Sequence, residues 1–322
     1  MVRYVVAKVP YKLGDRTKSK KIAFSVFVYL GEYACFMPLH KIPLEELRIA
    51  CRQRLETCEM WLRRLIHEEL SRKFGSTYFR EGIYNSNALF SSKIRKHAAE
   101  RMNREPNRYD SEIDTLLMDH IVDTVCKSDL FADFFRPALK GAFPHGNEEA
   151  RTFLSRLVPV RNALSHANPI SVRDAERVLC YCGDVIESIK EFYESRNMEQ
   201  EYNTPRFTRF ADSLGNSKLL SQTRSCLSYK DYAAMRPGDT IRLEVEVDSS
   251  FEPNAYRIDW VVCNIPNDEQ GSGTSFQLTI QPQYVSETFC ISASLKSMRS
   301  WHRYGNFDDS MVIYYKVLPP LK

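Results

Sequence analysis

The C-terminal third of the chain alternates apolar and polar residues, which is the period of a β-strand with one buried face. The alternation recurs in five segments, separated by turn sequences such as Pro237-Gly238-Asp239 and Gly271-Ser272-Gly273. Short strands at this spacing predict a β-sandwich over residues 235–322. The apolar positions are Ile241, Leu243, Val245 and Val247; Tyr256, Ile258, Trp260 and Val262; Phe276, Leu278 and Ile280; Phe289, Ile291, Ala293 and Leu295; and Met311, Ile313, Tyr315 and Val317.

Residues 43–196 have the period of amphipathic helices, and we expect four or five helices there. A long apolar stripe begins after Pro43 and ends near Gly75. A later stripe leads into residues 160–166 and stops at Asn168-Pro169, because proline cannot continue a helix. Ser171 and Asp174 then form a capping-box pattern that opens the last helix. The first stripe consists of Leu47, Cys51, Leu55, Cys58, Leu62, Leu65 and Ile66.

Two further regions complete the predicted organisation, which is multidomain with separate α and β parts. Residues 1–42 are β-like, with β-branched and aromatic residues at Val5–Val9 and Phe24–Tyr29, and predict a hairpin. The basic segment Lys12–Lys21 is predicted to be the loop of this hairpin. It could contact a nucleic-acid backbone or only water. Residues 197–234 are polar and irregular and predict a linker with room for one short helix.

Composition narrows the class of protein. A length of 322 residues suggests about two domains, and the net charge of +4 permits an anionic partner without requiring one. Nine cysteines without paired spacing favour a reducing cytoplasm over a disulfide framework. No signal-peptide pattern follows Met1, and the longest apolar run, Ile22–Leu30, is too short to span a bilayer. We therefore expect a soluble cytoplasmic protein without membrane contact.

The candidate chemistry lies in the segment Val160-Arg161-Asn162-Ala163-Leu164-Ser165-His166. An arginine can hold a phosphate through its planar fork, and a histidine is suited to moving protons near neutral pH. Arginine and histidine five positions apart are a weak signal by spacing alone. None of the other six histidines, however, has an arginine five to seven positions before it. An arginine and histidine that only cap helix ends remain the alternative.

This segment, with the long helix predicted after it, resembles the Arg-x4–6-His signature and final helix pair of HEPN-family ribonucleases. The resemblance covers residues 43–196 and implies a helical bundle with metal-independent endoribonuclease activity and no cofactor. It implies that Arg161 binds the scissile phosphate, that His166 acts as general acid or base, and that Asn162 orients the histidine or contacts the phosphate. The implied products are a 2′,3′-cyclic phosphate and a 5′-hydroxyl, and the implied role is that of a toxin or antiviral effector.

A homodimer is expected from the helix geometry as well as from the family. Residues five apart on an α-helix point about 140° away from each other. Arg161 and His166 therefore do not converge on one phosphate unless the helix unwinds near Ser165. In a symmetric dimer, the arginine of one chain can face the histidine of the other.

RNA contacts are predicted from a basic stretch at residues 93–108, against a plain solvated helix as the alternative. Tyr109 or Tyr84 could stack bases there. The sandwich resembles an immunoglobulin-like domain in its opening Pro237–Val247 and its central Trp260, and we expect it to receive a protein or ligand trigger. A non-catalytic RNA- or protein-binding HEPN module with an adaptor sandwich is the alternative function. The candidate RNA-binding residues are Lys93, Arg95, Lys96, Arg101, Arg104 and Arg108.

Overall fold

A computed structural model gives the positions of most of the chain. Helices and several sheets both occur, so the fold is mixed α and β. The chain forms two compact units: Met1–Glu69 with Leu117–Ile189, and Leu70–Leu116 with Lys190–Lys322. For residues 2–13, 16–30 and 33–37, and for Gln200 and Tyr202, the main chain alone is described. The structure describes residues 2–13, 16–30, 33–37, 39–105, 108–220, 223–231, 234–263 and 270–321.

The N-terminal residues form the predicted hairpin, extended by a third strand. Its antiparallel strands follow the order β1 (Val2–Leu13), β2 (Arg16–Leu30) and β3 (Tyr33–Met37). The predicted basic loop is wrong in extent, because Leu13 pairs with Arg16 and the pairing continues through the lysines up to residue 21. Basic composition marks a solvated segment, but it does not prevent the backbone from joining a strand ladder. The connecting residues 14 and 15 lie outside the described residues.

The helical region is built from long helices joined by short ones. The stripe predicted from residues 47–66 is buried, and its helix ends before Gly75, which adopts a left-handed φ of +80°. Short 3-10 helices occupy Leu39–Lys41 and Glu112–Thr115, and a π-helical turn occupies Phe131–Phe135. The α-helices are α1 (Leu44–Phe74), α2 (Tyr78–Glu81), α3 (Ser92–Arg104), α4 (Met118–Val125), α5 (Ser128–Leu130), α6 (Arg136–Leu139), α7 (Asn147–Ser155), α8 (Leu157–Ser165), α9 (Val172–Ser195) and α10 (Glu199–Tyr202).

The helix predicted to lead into the Arg–His segment is two helices, α7 and α8, separated at Arg156. Pro159 explains the break, since its ring collides with the carbonyl four residues earlier, which belongs to Ser155. The capping box that opens α9 is present. Ser171 Oγ lies 2.7 Å from Asp174 Oδ2, and the Asp174 N–H donates back to Ser171 Oγ at 3.1 Å.

The second unit contains a two-sheet sandwich with one continuous apolar core. A separate hairpin consists of β4 (Ile83–Tyr84) and β5 (Asn87–Ala88). The strands of the sandwich are β6 (Phe207–Asp212), β7 (Ser217–Leu219), β8 (Ser225–Ser228), β9 (Ala234–Met235), β10 (Thr240–Val247), β11 (Tyr256–Val262), β12 (Gln270–Ser272), β13 (Ser275–Thr279), β14 (Ser286–Ser297) and β15 (Asp309–Val317). One sheet has the strand order β13-β10-β6-β7 and the other β12-β11-β14-β15-β8, with β9 also pairing with β15. The 3-10 helix Pro282–Tyr284 precedes β14.

The predicted linker over residues 197–234 is wrong, because β6, β7 and β8 belong to the sandwich. Phe207 and Phe210 of β6 are both fully buried in its core. They stand three positions apart rather than two, and the pairing of β6 with β10 shifts register between Glu246 and Val247. Such a bulge breaks the period of two. The alternation that revealed the other strands is therefore absent from β6.

Candidate functional site

The histidine of the Arg–His segment lies at the point where α8 ends. His166 has φ −98° and ψ 16°, outside the helical values, and its N–H donates to the carbonyl of Ala163 at 3.2 Å. Ala167 adopts a left-handed φ of +56°, and the Asn168 N–H donates to the carbonyl of Ala163 at 2.9 Å. This is the hydrogen-bond pattern of a Schellman-type helix end. It places the His166 side chain at an exposed corner of the first unit.

The arginine of the segment is held by a buried carboxylate on α1. Arg161 Nε donates to Glu59 Oε1 at 3.0 Å, and Arg63 Nη2 donates to Glu59 Oε2 at 2.6 Å. The Glu59 side chain is 4% exposed, whereas that of Arg161 is 24% exposed. A buried carboxylate requires charged partners of this kind, because an unpaired one would be strongly disfavoured. Glu59 therefore fixes the base of the Arg161 guanidinium and leaves its outer end toward solvent.

Arg161 keeps part of its guanidinium available for an anion. Glu59 is shared between the guanidinium groups of Arg161 and Arg63. Only the Nε edge of Arg161 is used by Glu59. Its two terminal nitrogens make no hydrogen bond to any residue that the structure describes. That free edge has the geometry with which arginine binds the oxygens of a phosphate.

The other two predicted site residues, Asn162 and His166, are accessible to solvent, and within the described residues their side chains make no hydrogen bond to that of Arg161. Asn162 and His166 are both exposed, and neither side chain has a hydrogen-bond partner in the described part of the chain. Ser165 Oγ donates to the Arg161 carbonyl at 2.9 Å and so belongs to the helix end. Between Arg161 and His166 themselves, no hydrogen bond, ion pair or ring contact is formed among these residues. One chain thus presents the arginine and histidine without joining them.

Sequence reasoning missed Glu59 and Arg63, which lie about a hundred positions before the motif. A signal was present, because Glu59 falls in helical register with Leu55 and Leu62 on the apolar stripe of α1. A glutamate at a position otherwise reserved for buried side chains requires a cationic partner. The apolar stripe of α1 could have identified Glu59 as a buried carboxylate. It could not have predicted which arginines pair with Glu59.

Two of the six predicted RNA-binding residues have structural roles within the second unit. Arg95 Nη1 donates to the carbonyl of Arg80 at 2.6 Å. Arg101 donates to the carbonyl of Thr115 at 2.8 Å and to the Tyr109 hydroxyl at 2.5 Å. Tyr109 is only 5% exposed, so its ring is not available to stack a base. Arg95 and Arg101 therefore hold α3 to its neighbours.

The remaining basic residues form the exposed part of this stretch. Lys93 and Arg104 are exposed and have no hydrogen-bond or ion-pair partner within the described residues. Lys96 is also exposed and lies 3.9 Å from Glu100, while Arg108 is paired with the glutamate three positions before it. On α3, Lys93, Lys96 and Arg104 share one face at helical spacing. These three residues form an accessible basic face of α3.

Comparison with other proteins adds no family. Neither a protein-family model nor a curated protein sequence matches this chain. In the described ranges, no three His, Cys, Asp or Glu side chains gather as they would around a metal ion. No helix there is both long and apolar enough to cross a bilayer. The arguments for function therefore come from the Arg161–Glu59–Arg63 cluster and from the residues that follow it on α8.

Proposed function

We propose that this protein is a metal-independent endoribonuclease of HEPN type, acting through Arg161, His166 and Asn162. The observation that carries the proposal is the fixed guanidinium of Arg161. Its Nε is anchored 3.0 Å from the buried Glu59, and its terminal nitrogens face solvent. A cation that is held in place before the substrate arrives stabilises developing charge without reorganisation. A helix-capping arginine would not need a buried carboxylate behind it.

The proposed reaction divides two tasks between these side chains. The ribose 2′-oxygen attacks the adjacent phosphorus, forming the new P–O bond as the bond to the leaving 5′-oxygen breaks. His166 takes the proton of the 2′-hydroxyl or gives one to the 5′-oxygen, and Arg161 offsets the charge on the phosphate oxygens. Asn162 contacts the phosphate or orients His166. The products are a 2′,3′-cyclic phosphate and a 5′-hydroxyl.

A symmetric dimer would bring an arginine and a histidine from different chains to the same phosphate. Arg161 lies on α8, whereas His166 follows the end of that helix, and within one chain their side chains make no hydrogen bond or ion pair with each other among the described residues. In the proposed dimer, α8 packs near its own copy, so that Arg161 of one chain and His166 of the other face the same phosphate. Lys93, Lys96 and Arg104 would contact the RNA backbone.

The family assignments of the two structural parts belong to the same proposal. The long helices of residues 43–196 support a HEPN-like bundle. In the sandwich, the buried Trp260 donates from Nε1 to the carbonyl of Gly273 at 2.8 Å and stacks on Phe276, which supports an immunoglobulin-like domain. In this proposal the sandwich senses or recruits a trigger, and the protein acts as a toxin or antiviral effector.

The alternative is a non-catalytic module that binds RNA or a protein. One observation favours it, which is that Arg161 is already ion-paired and does not reach His166 within one chain. An arginine with this environment could hold a phosphate without cleaving it. The two functions differ in whether His166 is required for a chemical change in RNA or only for binding.

The test is cleavage of single-stranded RNA by the full chain in EDTA, with the product ends analysed. We expect 2′,3′-cyclic phosphate ends from the wild type and none from His166→Ala. His145→Ala is the matched control, since His145 is also exposed but has no arginine five to seven positions before it. RNA that is bound but not cut would favour the binding module. Equal cleavage by wild type and His166→Ala would overturn the proposal.

A further inference from the structure

Two consecutive buried aspartates organise the segment before β15. Asp308 accepts the N–H of Arg303 at 2.9 Å and that of Ser297 at 2.6 Å, and lies 3.1 Å from His302 Nδ1. Asp309 accepts the N–H of Arg224 at 2.9 Å. Both carboxylates are almost completely inaccessible. Loops are usually mobile because their backbone is exposed to water. Here buried carboxylates accept hydrogen bonds from the backbone N–H groups of Arg303 and Arg224, which fixes these two positions.

The two arginines that these aspartates anchor meet at one ring. The guanidinium carbons of Arg224 and Arg303 each lie 5.3 Å from the centre of the Tyr304 ring. The Tyr304 hydroxyl is in turn 2.7 Å from the Thr223 hydroxyl. Planar cations over an aromatic face are the arrangement of a cation–π contact. The Arg224 guanidinium makes no hydrogen bond or ion pair to any residue in the described ranges, so its donors remain available.

A second arginine–aromatic pair lies on the same segment. The guanidinium carbon of Arg299 lies 4.8 Å from the ring centre of Trp301, and Arg299 Nη1 donates to the carbonyl of Asn203 at 2.8 Å. Trp301 is 37% exposed although large aromatic residues usually turn inward. Met298, three positions before it in the chain, is 72% exposed. We call Arg224 together with residues 298–304 the arginine–aromatic loop.

The charge that this loop presents to solvent is positive. Its cationic side chains are Arg224, Arg299 and Arg303. The two aspartates that follow it are buried, and Arg303 Nη1 donates to the main-chain carbonyl of the exposed Glu201 at 2.6 Å. The loop therefore favours an anion. The ring of Trp301 is also exposed and can stack on a flat group of a partner. A partner that carries only charge would not make this stacking contact. A strand of nucleic acid supplies both chemistries, since its phosphates pair with arginines and its bases stack on exposed rings.

We propose that the arginine–aromatic loop is a binding site for single-stranded nucleic acid. A base stacks on Trp301, and Arg224 and Arg299 contact the flanking phosphates. The buried aspartates fix the loop before binding, which lowers the entropy lost when the strand docks. This site is distinct from the Arg161 cluster and does not depend on whether the protein cleaves RNA. An acidic peptide is the competing occupant, and the test below separates the two.

The experiment measures the affinity of the full chain for a fluorescent 2′-O-methyl oligoribonucleotide by anisotropy. The methyl group removes the 2′-hydroxyl nucleophile, so that binding is measured whether or not the protein is a ribonuclease. We expect Trp301→Ala to weaken binding about tenfold, within the range for one lost stacked base. Trp301→Phe should retain most of the affinity. Arg224→Ala should make the salt dependence shallower by about 0.7 in log–log slope, as for one lost phosphate contact.

Matched controls lie on the same unit. Leu214→Ala removes an exposed apolar side chain outside the loop, and Arg242→Ala removes an exposed arginine of β10. Both should bind like the wild type. A DNA strand of the same sequence that binds equally would assign the site to single strands in general, and weaker DNA binding would assign it to RNA. Wild-type affinity in both Trp301→Ala and Arg224→Ala, or equal competition by polyglutamate, would overturn the proposal.

Discussion

Arg161 Nε donates to Glu59 Oε1 at 3.0 Å, although the two residues stand 102 positions apart in the chain. The contact joins α8 to α1 inside the first unit and is shared with Arg63, which donates to the other carboxylate oxygen. It converts an arginine on a short helix into a cation of fixed orientation. The proposed chemistry depends on this anchoring as much as on the Arg–His spacing.

Glu59→Gln should therefore impair cleavage through Arg161. The neutral amide cannot balance two guanidinium groups, so the orientation of Arg161 is lost, and a misplacement of this kind can cost about 10²-fold in rate. Breaking a buried ion pair also costs about 3–5 kcal/mol of stability, which denaturant unfolding would measure. We expect kcat to fall with KM little changed, measured well below the melting temperature. Glu56→Gln, which alters an exposed pair with Arg52 on the same helix, should leave kcat unchanged.

His166→Ala should abolish cleavage and leave the fold intact, because His166 is exposed at a helix end. The loss expected for general acid–base assistance is about 10²–10⁴-fold. Single-turnover cleavage in EDTA would measure it, with circular dichroism to monitor folding. A variant that cuts RNA as fast as the wild type would rule out the proposed role of this histidine.

Arg161→Lys should restore little of the activity lost in Arg161→Ala. An ammonium group is a point charge and cannot donate to Glu59 and to a phosphate through one planar fork. Cleavage rates of the two variants, each compared with wild type, test this directly. Near-normal activity in Arg161→Lys would mean that charge alone suffices and that the Nε anchor on Glu59 is unimportant.

The active protein should be a homodimer whose contact includes α8. The physical reason is that Arg161 and His166 make no contact with each other within the described part of one chain. Mixing Arg161→Ala with His166→Ala should restore activity in part, since a mixed dimer retains one intact composite site. Light scattering at micromolar concentration provides the mass. A monomer with full nuclease activity, or no recovery on mixing, would contradict the shared site.

Ser171→Ala should destabilise the protein by about 1 kcal/mol, the usual cost of losing a helix N-cap. The Ser171 hydroxyl is the main reason that the pKa of Asp174 lies below its usual value, and Arg177 lowers it further. A lowered carboxyl pKa contributes stability above the unfolded pKa, which is lost as pH falls through the folded pKa. The wild type should thus lose this contribution below about pH 4, and Ser171→Ala should show less of that decline. Ser195→Ala, at the other end of α9, should keep the wild-type pH profile.

Phe210→Ala should destabilise the sandwich by about 3–5 kcal/mol, as expected for a buried phenylalanine. Phe210 is fully buried on β6, within the stretch whose sequence predicts a linker. Leu214→Ala, in the following turn and 39% exposed, should cost far less. Equal unfolding midpoints for Phe210→Ala and the wild type would show that β6 contributes nothing to the sandwich.

Local pattern predicts an element well where one face of it is buried in regular register. The alternating residues of β10, β11, β13, β14 and β15 identify those strands, and the apolar stripe of α1 identifies that helix from Leu47 to Ile66. The pattern fails at β6, where a bulge places the buried Phe207 and Phe210 three apart. It fails again at Pro159, whose effect on Ser155 divides one predicted helix into two.

The sequence by itself determined the position of the Arg–His segment, its placement on a helix and the cap that opens α9. These features depend on neighbours within a few residues, which the chain order already specifies. Only the tertiary structure decided that Glu59 anchors Arg161, that Tyr109 is buried, and that Arg224 and Arg303 meet at Tyr304. Each of these features depends on how the packed elements approach one another. The apolar and polar pattern along a single helix or strand does not specify that approach.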